Sequence, residues 1–334
     1  MDRPRRISYL FMLLLLVAVG WLRMATLLLT VLFGYFALRQ FSFGRSRALG
    51  VALFLVVVGG AFYGLWFFAQ QAYVTFPRIA EETLPAIVET AEQRGIELPF
   101  TNWRTAKAAA LDGVREKLAN VGRYARDAVF ILVYLVIGLV VALSLFLSQR
   151  LRLDADEGAP ADNLYAATAH QIMLRVQTFF RSFAVVMGAQ IVIATINTVL
   201  TGGFLFLMGF PYAPVLTIFV FLCGLLPIVG NLVSNVVITA VGLTISPRMA
   251  LIALGYLIAI HKLEYFLNSK IIGDRIKNPM WLTLLGLLVG EKLMGIPGMI
   301  LAPVVLHYVK VEASRARVAQ AIHAGEQAAE EIPA

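Results

Sequence analysis

The chain has 334 residues, 60% of them hydrophobic and only 14% charged, with a mean hydropathy of +0.80. That balance excludes an ordinary soluble domain and indicates an integral membrane protein. The formal charge of +8 does not imply a nucleic-acid partner, because the basic residues gather at the ends of apolar segments instead of forming one face interleaved with exposed aromatics. The single cysteine, Cys223, leaves no intrachain disulfide and no paired-cysteine metal site.

MDRPRR followed by an apolar run has the outline of a signal peptide, but Ile7 to Leu38 is too long and lacks a small-residue cleavage pattern, so it is expected to stay on the protein. The run exceeds the ~20 residues of one crossing and is interrupted at Trp21, Leu22 and Arg23, which predicts two short spans joined by a tight turn. Arg3, Arg5 and Arg6 before it, with Arg39, Arg45 and Arg47 after it, put both ends of this hairpin in the cytoplasm. A third span, Ala48 to Ala69, completes an N-terminal scaffold over residues 1–69.

Residues 70–127 are the large polar insertion, and their charges nearly cancel, which suits an external region. Two amphipathic helices fit there. One runs from Pro77 to Arg94 with Gly95 as its C-terminal cap. The other carries Leu111, Val114, Leu118, Val121 and Ala125 as an apolar seam, to pack on the protein's own spans or on a neighbouring subunit. Residues 128–163 hold a fourth span, Ala128 to Ser148, and the charged cytoplasmic linker QRLRLDADEGAPADN. Leu164 to Arg181 is expected to lie along the membrane surface, and a fifth span follows from Ser182 to Met208, ending at the turn GFPYAP.

Residues 164–310 are expected to contain the transport region. Val215 to Ile245 is apolar but split by LPIVGN into two arms, each shorter than the ~20 residues a crossing wants. Pro227 removes a backbone donor and Gly230 admits conformations that other residues resist. The freed backbone groups cannot face lipid, so they are expected to line a watery cavity and serve as ligand-binding groups. After a span from Arg248 to His261 and the basic stretch HKLEYFLNSKIIGDRIKNP, a second apolar block, Trp281 to Tyr308, is broken at GEKLMGIPG. Counting parity, the two broken hairpins open to opposite sides and their tips meet near the midplane; the alternative is that each arm crosses as a short tilted helix. Residues 311–334 form a cytoplasmic tail. The expected fold is therefore all-α and polytopic, with about eight membrane segments, two broken or re-entrant hairpins and an external amphipathic region, both termini being cytoplasmic.

Glu264 follows His261 by three residues, but no second histidine completes a zinc-peptidase motif. Its readings are a boundary carboxylate wetted by headgroups or a residue that meets solute or a coupling cation. Glu291 and Lys292, at the second break, would cost at least ~2.5 kcal/mol at the bilayer centre, so they need a partner, a role or a wet tip. Asn231 and Asn235 share one side of a helix, to bind a polyhydroxylated solute or to tie helices together at ~0.6 kcal/mol per contact. Asn197 and Gln190 invite the same two readings, and His307 is expected at the interface. There is no P-loop, nucleophile elbow or dinucleotide fingerprint, hence no enzyme, no cofactor and no metal is expected, and pumping would use an ion or solute gradient.

GLLPIVGN resembles the G-x-x-P-x-x-G element of the autoinducer-2 exporter family, the perM-type bacterial membrane permeases. The run from LEYFLNSKIIGD to MILAPVV is similar to that family's C-terminal block, matched at Glu264, Asn268, Gly273, Pro279, Gly290, Gly295, Gly298 and Pro303. It departs at Ser269, where the family often has proline, and at Glu291 and Lys292, where small residues are common. The resemblance implies a homopentamer in the bacterial inner membrane that exports autoinducer-2, or, as in other members, exchanges sodium for protons; a non-transporting scaffold is the further alternative. The candidate binding set is Pro227, Gly230, Asn231, Asn235, Glu264, Asn268, Glu291, Gly295 and Pro297.

Overall fold

The computed structural model describes residues 3–42, 46–93, 121–148, 163–227, 229–272 and 279–330. Among them the chain is helical throughout, with no strand. Its elements are α1 (Arg3–Trp21), α2 (Ala25–Phe41), α3 (Arg47–Gln93), α4 (Val121–Leu147), α5 (Leu164–Leu207), α6 (Ala213–Gly224), α7 (Val229–Ile245), α8 (Pro247–Ile272) and α9 (Met280–Glu330). Five stretches among the described residues are long and apolar enough to cross a membrane, on α1, α3, α4, α5 and α9. Leu10, Leu13 and Leu14 on α1 are 56%, 60% and 58% exposed, as a lipid-facing surface requires. The fold is that of an all-α polytopic membrane protein.

The N-terminal apolar run divides as its length demands. Leu22 to Met24 separates α1 from α2, and Arg23 takes a left-handed φ of 54° to make the turn. Two other boundaries differ from expectation. Helix α3 does not stop at Ala69 but continues through Pro77 and Pro85, so the first amphipathic helix is an extension of the third span. Helix α5 runs 44 residues without interruption, so the segment from Leu164 to Arg181 and the fifth span form one helix. The reason is in its sequence: no proline falls between Leu164 and Leu207, and Phe179, Phe180, Phe183 and Met187 carry one buried stripe across the expected joint at Ser182. The Gly95 cap, the seam from Leu111 to Leu118, the linker 149–162 and Gly273 lie outside the described residues.

The chain forms two compact units, one of Met1–Arg47, Tyr134–Ala189 and Ser269–Ala334, the other of Ala48–Val133 and Gln190–Asn268. In the first, Phe33 and Tyr35 of α2 meet Phe183 and Phe180 of α5 edge-on, each pair with ring centroids 4.9 Å apart. In the second, Leu205, Leu216, Ile238, Val241 and Ala253 are almost wholly buried, and Phe204 stacks on Tyr256 at 4.1 Å. Small residues set the helix spacing there: a Cβ on Gly242 would lie 3.1 Å from the Ala250 backbone.

The second apolar block is a hairpin. At Gly295 the backbone takes φ 64° and ψ −146°, a region essentially reserved for glycine. A Cβ on Gly286 would lie 3.7 Å from Ala302 Cβ, whereas a straight helix would hold those residues about 24 Å apart. The chain therefore doubles back, and Gly290 and Gly298 let the arms touch backbone to backbone: a Cβ on Gly298 would sit 2.0 Å from the Gly290 carbonyl oxygen. Gly295 has open space around it, so Gly295→Ala meets only backbone strain of about 1–3 kcal/mol. Gly298→Ala meets a main-chain atom that cannot swing aside. Thermal unfolding of purified protein followed by helical circular dichroism should show a larger fall in Tm for Gly298→Ala than for Gly295→Ala; the reverse order would contradict the hairpin.

Candidate functional site

The break between α6 and α7 sets the site's position. Among the described residues, several of its backbone groups bond within the protein: Leu225 and Leu226 N–H donate to the Leu222 and Cys223 carbonyls at 3.4 and 2.9 Å, Val229 N–H to that of Pro227 at 2.7 Å, and Gly230 N–H to that of Leu226 at 3.3 Å. The Gly224 carbonyl accepts the side-chain amide of Gln190 at 2.6 Å. Each of these carbonyls thus accepts a hydrogen bond within the protein, where the sequence led to the expectation of freed backbone groups serving as ligands. Gly230 has a steric role instead. A Cβ there would fall 1.7 Å from the Cys223 carbonyl oxygen, so only glycine lets the first turn of α7 lie against the last turn of α6. The next residue is Asn231.

Asn231 reaches Glu264 on α8, its Nδ2 donating to Oε2 of the carboxylate. The same oxygen accepts Nδ2 of Asn197, on α5, at 3.3 Å. Glu264 is only 8% exposed, because α8 continues from Pro247 to Ile272 and the residue sits inside a helix packed on two others. It is not a wetted boundary carboxylate. His261, one turn before it, has Nδ1 4.0 Å from Oε2 and a largely exposed ring. A buried carboxylate needs hydrogen bonds or a counter-charge, and here the donors are two neutral amides. Asn197 Oδ1 is buried and has no hydrogen-bond partner. The cluster thus offers negative charge and an unused acceptor to whatever brings hydroxyls, a proton or a cation.

Of the other predicted residues, Pro227 forms the turn and Asn235 is half-buried one turn along α7 from Asn231, outside the hydrogen-bonded set. Asn268 lies on α8 one turn beyond Glu264, with its side chain outside the described residues. Glu291, Gly295 and Pro297 belong to the tip of the second hairpin, in the other compact unit. The side chain of Glu291 is 51% exposed and lies 4.0 Å from Lys292 Nζ, as charges at an open tip would.

A second polar cluster escaped the sequence reading. In the first unit, Arg175 on α5 and Glu312 on α9 are 6% and 5% exposed and pair through Arg175 Nη1 and Glu312 Oε2 at 2.6 Å. Tyr9 Oη donates to the same oxygen at 3.0 Å, and its ring lies 4.3 Å from the guanidinium carbon. The available signal was register: Arg175, Phe179 and Phe183 fall four residues apart, which places a charge on an aromatic, buried stripe. His307, expected at the interface, is 5% exposed, and neither of its ring nitrogens has a partner; the arm carrying it packs into the unit's core beside Val304 and Tyr308.

Comparison with known proteins bears on the whole chain. The sequence model described as AI-2E family transporter matches residues 7–315. A protein of Bacillus subtilis (strain 168) described as "Putative transport protein YdbI" is 34% identical over 125 residues, a stretch that spans 37% of this chain and 36% of that relative's own length.

The two buried carboxylates should respond differently to substitution. Glu312→Ala strands Arg175 without its partner and should cost about 3–5 kcal/mol, whereas Arg175→Met combined with Glu312→Met should recover most of that loss. Asn231→Leu removes one hydrogen bond to a charged group and should cost about 1.5–3 kcal/mol, while Glu264→Gln should leave stability nearly unchanged. Chemical unfolding of the detergent-solubilised protein checks all four. A double variant no more stable than Glu312→Ala would contradict the reading of the pair.

Proposed function

The chain belongs to the AI-2E family of transporters, and on that premise we propose that it moves a small polar solute of the autoinducer-2 type across the bacterial inner membrane, binding it at Glu264, Asn231 and Asn197. The observation that carries this reading is the composition of the cluster: a buried carboxylate served by neutral amides, next to an unpartnered buried acceptor. Solute hydroxyls donate to Glu264 and to Asn197 Oδ1, and the amide groups can turn to donate to a carbonyl or ether oxygen. A polyhydroxylated molecule replaces its lost hydration in this way, as an apolar one cannot.

Transport proceeds by alternating access. Helix α6, with 12 residues, measures about 18 Å, short of the roughly 30 Å hydrocarbon core. That length supports a re-entrant hairpin, with the α6–α7 break at membrane depth and Asn231 carried on its tip. Movement of the hairpin relative to α8 separates Asn231 from Glu264 and exposes the carboxylate to one side. The chain carries no ATP-binding motif, so the driving force is an ion gradient or the solute's own. Cytoplasmic termini are supported by the arginine clusters at both ends of the first hairpin and by the basic tail with Lys310, Arg315 and Arg317, and a homopentamer rests on the family resemblance alone.

One observation favours a second reading, sodium–proton exchange: among the described residues, the only ion-pair partner of Glu264 is a histidine at 4.0 Å. A proton or a sodium ion would compensate the buried charge. Flux into liposomes separates the two. The proposal expects wild-type protein to move a polyhydroxylated autoinducer-2-type solute, and Glu264→Ala and Asn231→Ala to lower the rate by roughly tenfold or more, the effect of about 1.4 kcal/mol or more of lost binding. Unchanged solute flux in both variants would remove the site. Collapse of a pH gradient by sodium, dependent on Glu264 and without solute movement, would replace the first reading by the second.

A further inference from the structure

One face of α5 meets both the Glu264 cluster and the end of α6. Gln190, Ala194 and Asn197 fall at positions i, i+4 and i+7 on that helix. Asn197 donates to Glu264 at 3.3 Å. Ala194 packs on the last residue of α6, where a Cβ on Gly224 would lie 3.0 Å from the Ala194 Cβ. Gln190 donates to the Gly224 carbonyl at 2.6 Å. All of these residues belong to the second compact unit.

The acceptor gives the Gln190 contact its weight. The last four carbonyls of a helix have no intrahelical N–H to meet, and in an apolar segment hydrocarbon offers no substitute. Gln190 therefore supplies from α5 a cap for the end of α6. Farther along α6 the same neighbour offers a small residue: a Cβ on Gly202 would lie 2.9 Å from Thr217 Cγ2, and the Thr217 hydroxyl is turned onto its own helix, donating to the Ala213 carbonyl at 2.8 Å. Packing of that kind lets two helices approach closely, whereas a hydrogen bond is lost once its partners part by about 1 Å.

Beyond Gly224 the contacts run in series. Gly230 rests against the Cys223 carbonyl, and it precedes Asn231, whose amide reaches Glu264. Lifting the end of α6 from α5 would thus withdraw Asn231 from the carboxylate. We propose that Gln190 is a positioning residue, a polar latch that keeps the α6–α7 hairpin seated on α5 and releases it during transport, an assignment that rests on the reading of the Glu264 cluster as a solute site served by a moving hairpin.

Cys223 reports on the latch. It is the single cysteine of the chain, adjoins Gly224 and is only 8% exposed, so a thiol reagent reaches it when the hairpin lifts. Full-length protein in liposomes is treated with dithiodipyridine, a disulfide reagent that acts in acid as well as at neutral pH, and the labelling rate is followed by intact-protein mass spectrometry. Gln190→Met, similar in length but without a donor, should speed labelling about fivefold or more, the factor expected when a buried carbonyl loses its partner. Gln190→Glu at about pH 5, where a carboxyl in an apolar setting is protonated and donates as the amide does, should label at the wild-type rate for that pH. Should the Met variant fail to fold, raising the Glu variant to about pH 8 removes its donor instead, and its rate should then exceed that of wild type at the same pH. Equal rates in the wild type and the form without a donor, or labelling of the Glu variant in acid as fast as that of the Met variant, would overturn the latch. Autoinducer-2-type solute should slow labelling of the wild type; a Gln190→Met effect that persists while solute changes nothing would support the latch and remove the solute site.

Discussion

Inside an apolar segment a backbone group released from its helix must find another partner, because hydrocarbon offers none. The α6–α7 break meets this demand with local turns and with one side chain, Gln190, whose amide reaches the Gly224 carbonyl. Satisfying the break from within has a consequence for the rest of the unit. The turn becomes compact enough for Gly230 to rest against Cys223, and that contact brings Asn231 to Glu264. In the proposed site, recognition would accordingly rest on side chains.

The protein buries two carboxylates and compensates them differently. Glu312 has a guanidinium and a phenol on one oxygen; its charge is cancelled, and the pair ties α1, α5 and α9 into one unit. Glu264 has two amides on one oxygen, which stabilise the ionised form without cancelling it. A neutralised pair holds helices in place, since replacing it with apolar residues leaves packing to do the same work. Glu264 keeps its charge uncancelled, and its two amide partners sit on two helices other than its own, α5 and α7, the second of which begins at a break. The contrast separates a cancelled charge from an uncancelled one by chemistry, not by position in the sequence.

Much of the architecture could be read from residues. The apolar runs, the interruption near Trp21 to Arg23, the break at Pro227 and the break within GEKLMGIPG each follow from length, proline or glycine. Helix boundaries that depend on burial could not be read. Arg175 and Arg181 suggest a surface segment, yet the aromatic stripe on the same helix carries it through the joint at Ser182. At the site, Glu264 and Asn231 were recognisable, but their meeting depends on α8 continuing past His261, and His261, Lys262 and Glu264 together read as a boundary. Asn197 was ambiguous because a lone asparagine in a span ties helices as readily as it binds a ligand. The Tyr9, Arg175 and Glu312 cluster joins residues some three hundred positions apart, and no local pattern announces such a contact.

The central claim is that the buried carboxylate of Glu264 receives the transported solute, and carbodiimide labelling in proteoliposomes tests it most directly. A membrane-permeable carbodiimide reacts with a buried carboxylate through the fraction that transiently takes up a proton, and the modified residue can be located by peptide mass spectrometry. With small polyhydroxylated autoinducer-2-type solute absent, Glu264 should be labelled, and added solute should protect it in proportion to its occupancy while labelling of Glu291 stays constant. Labelling of Glu264 that no concentration of solute alters, in protein that transports it, would contradict the account.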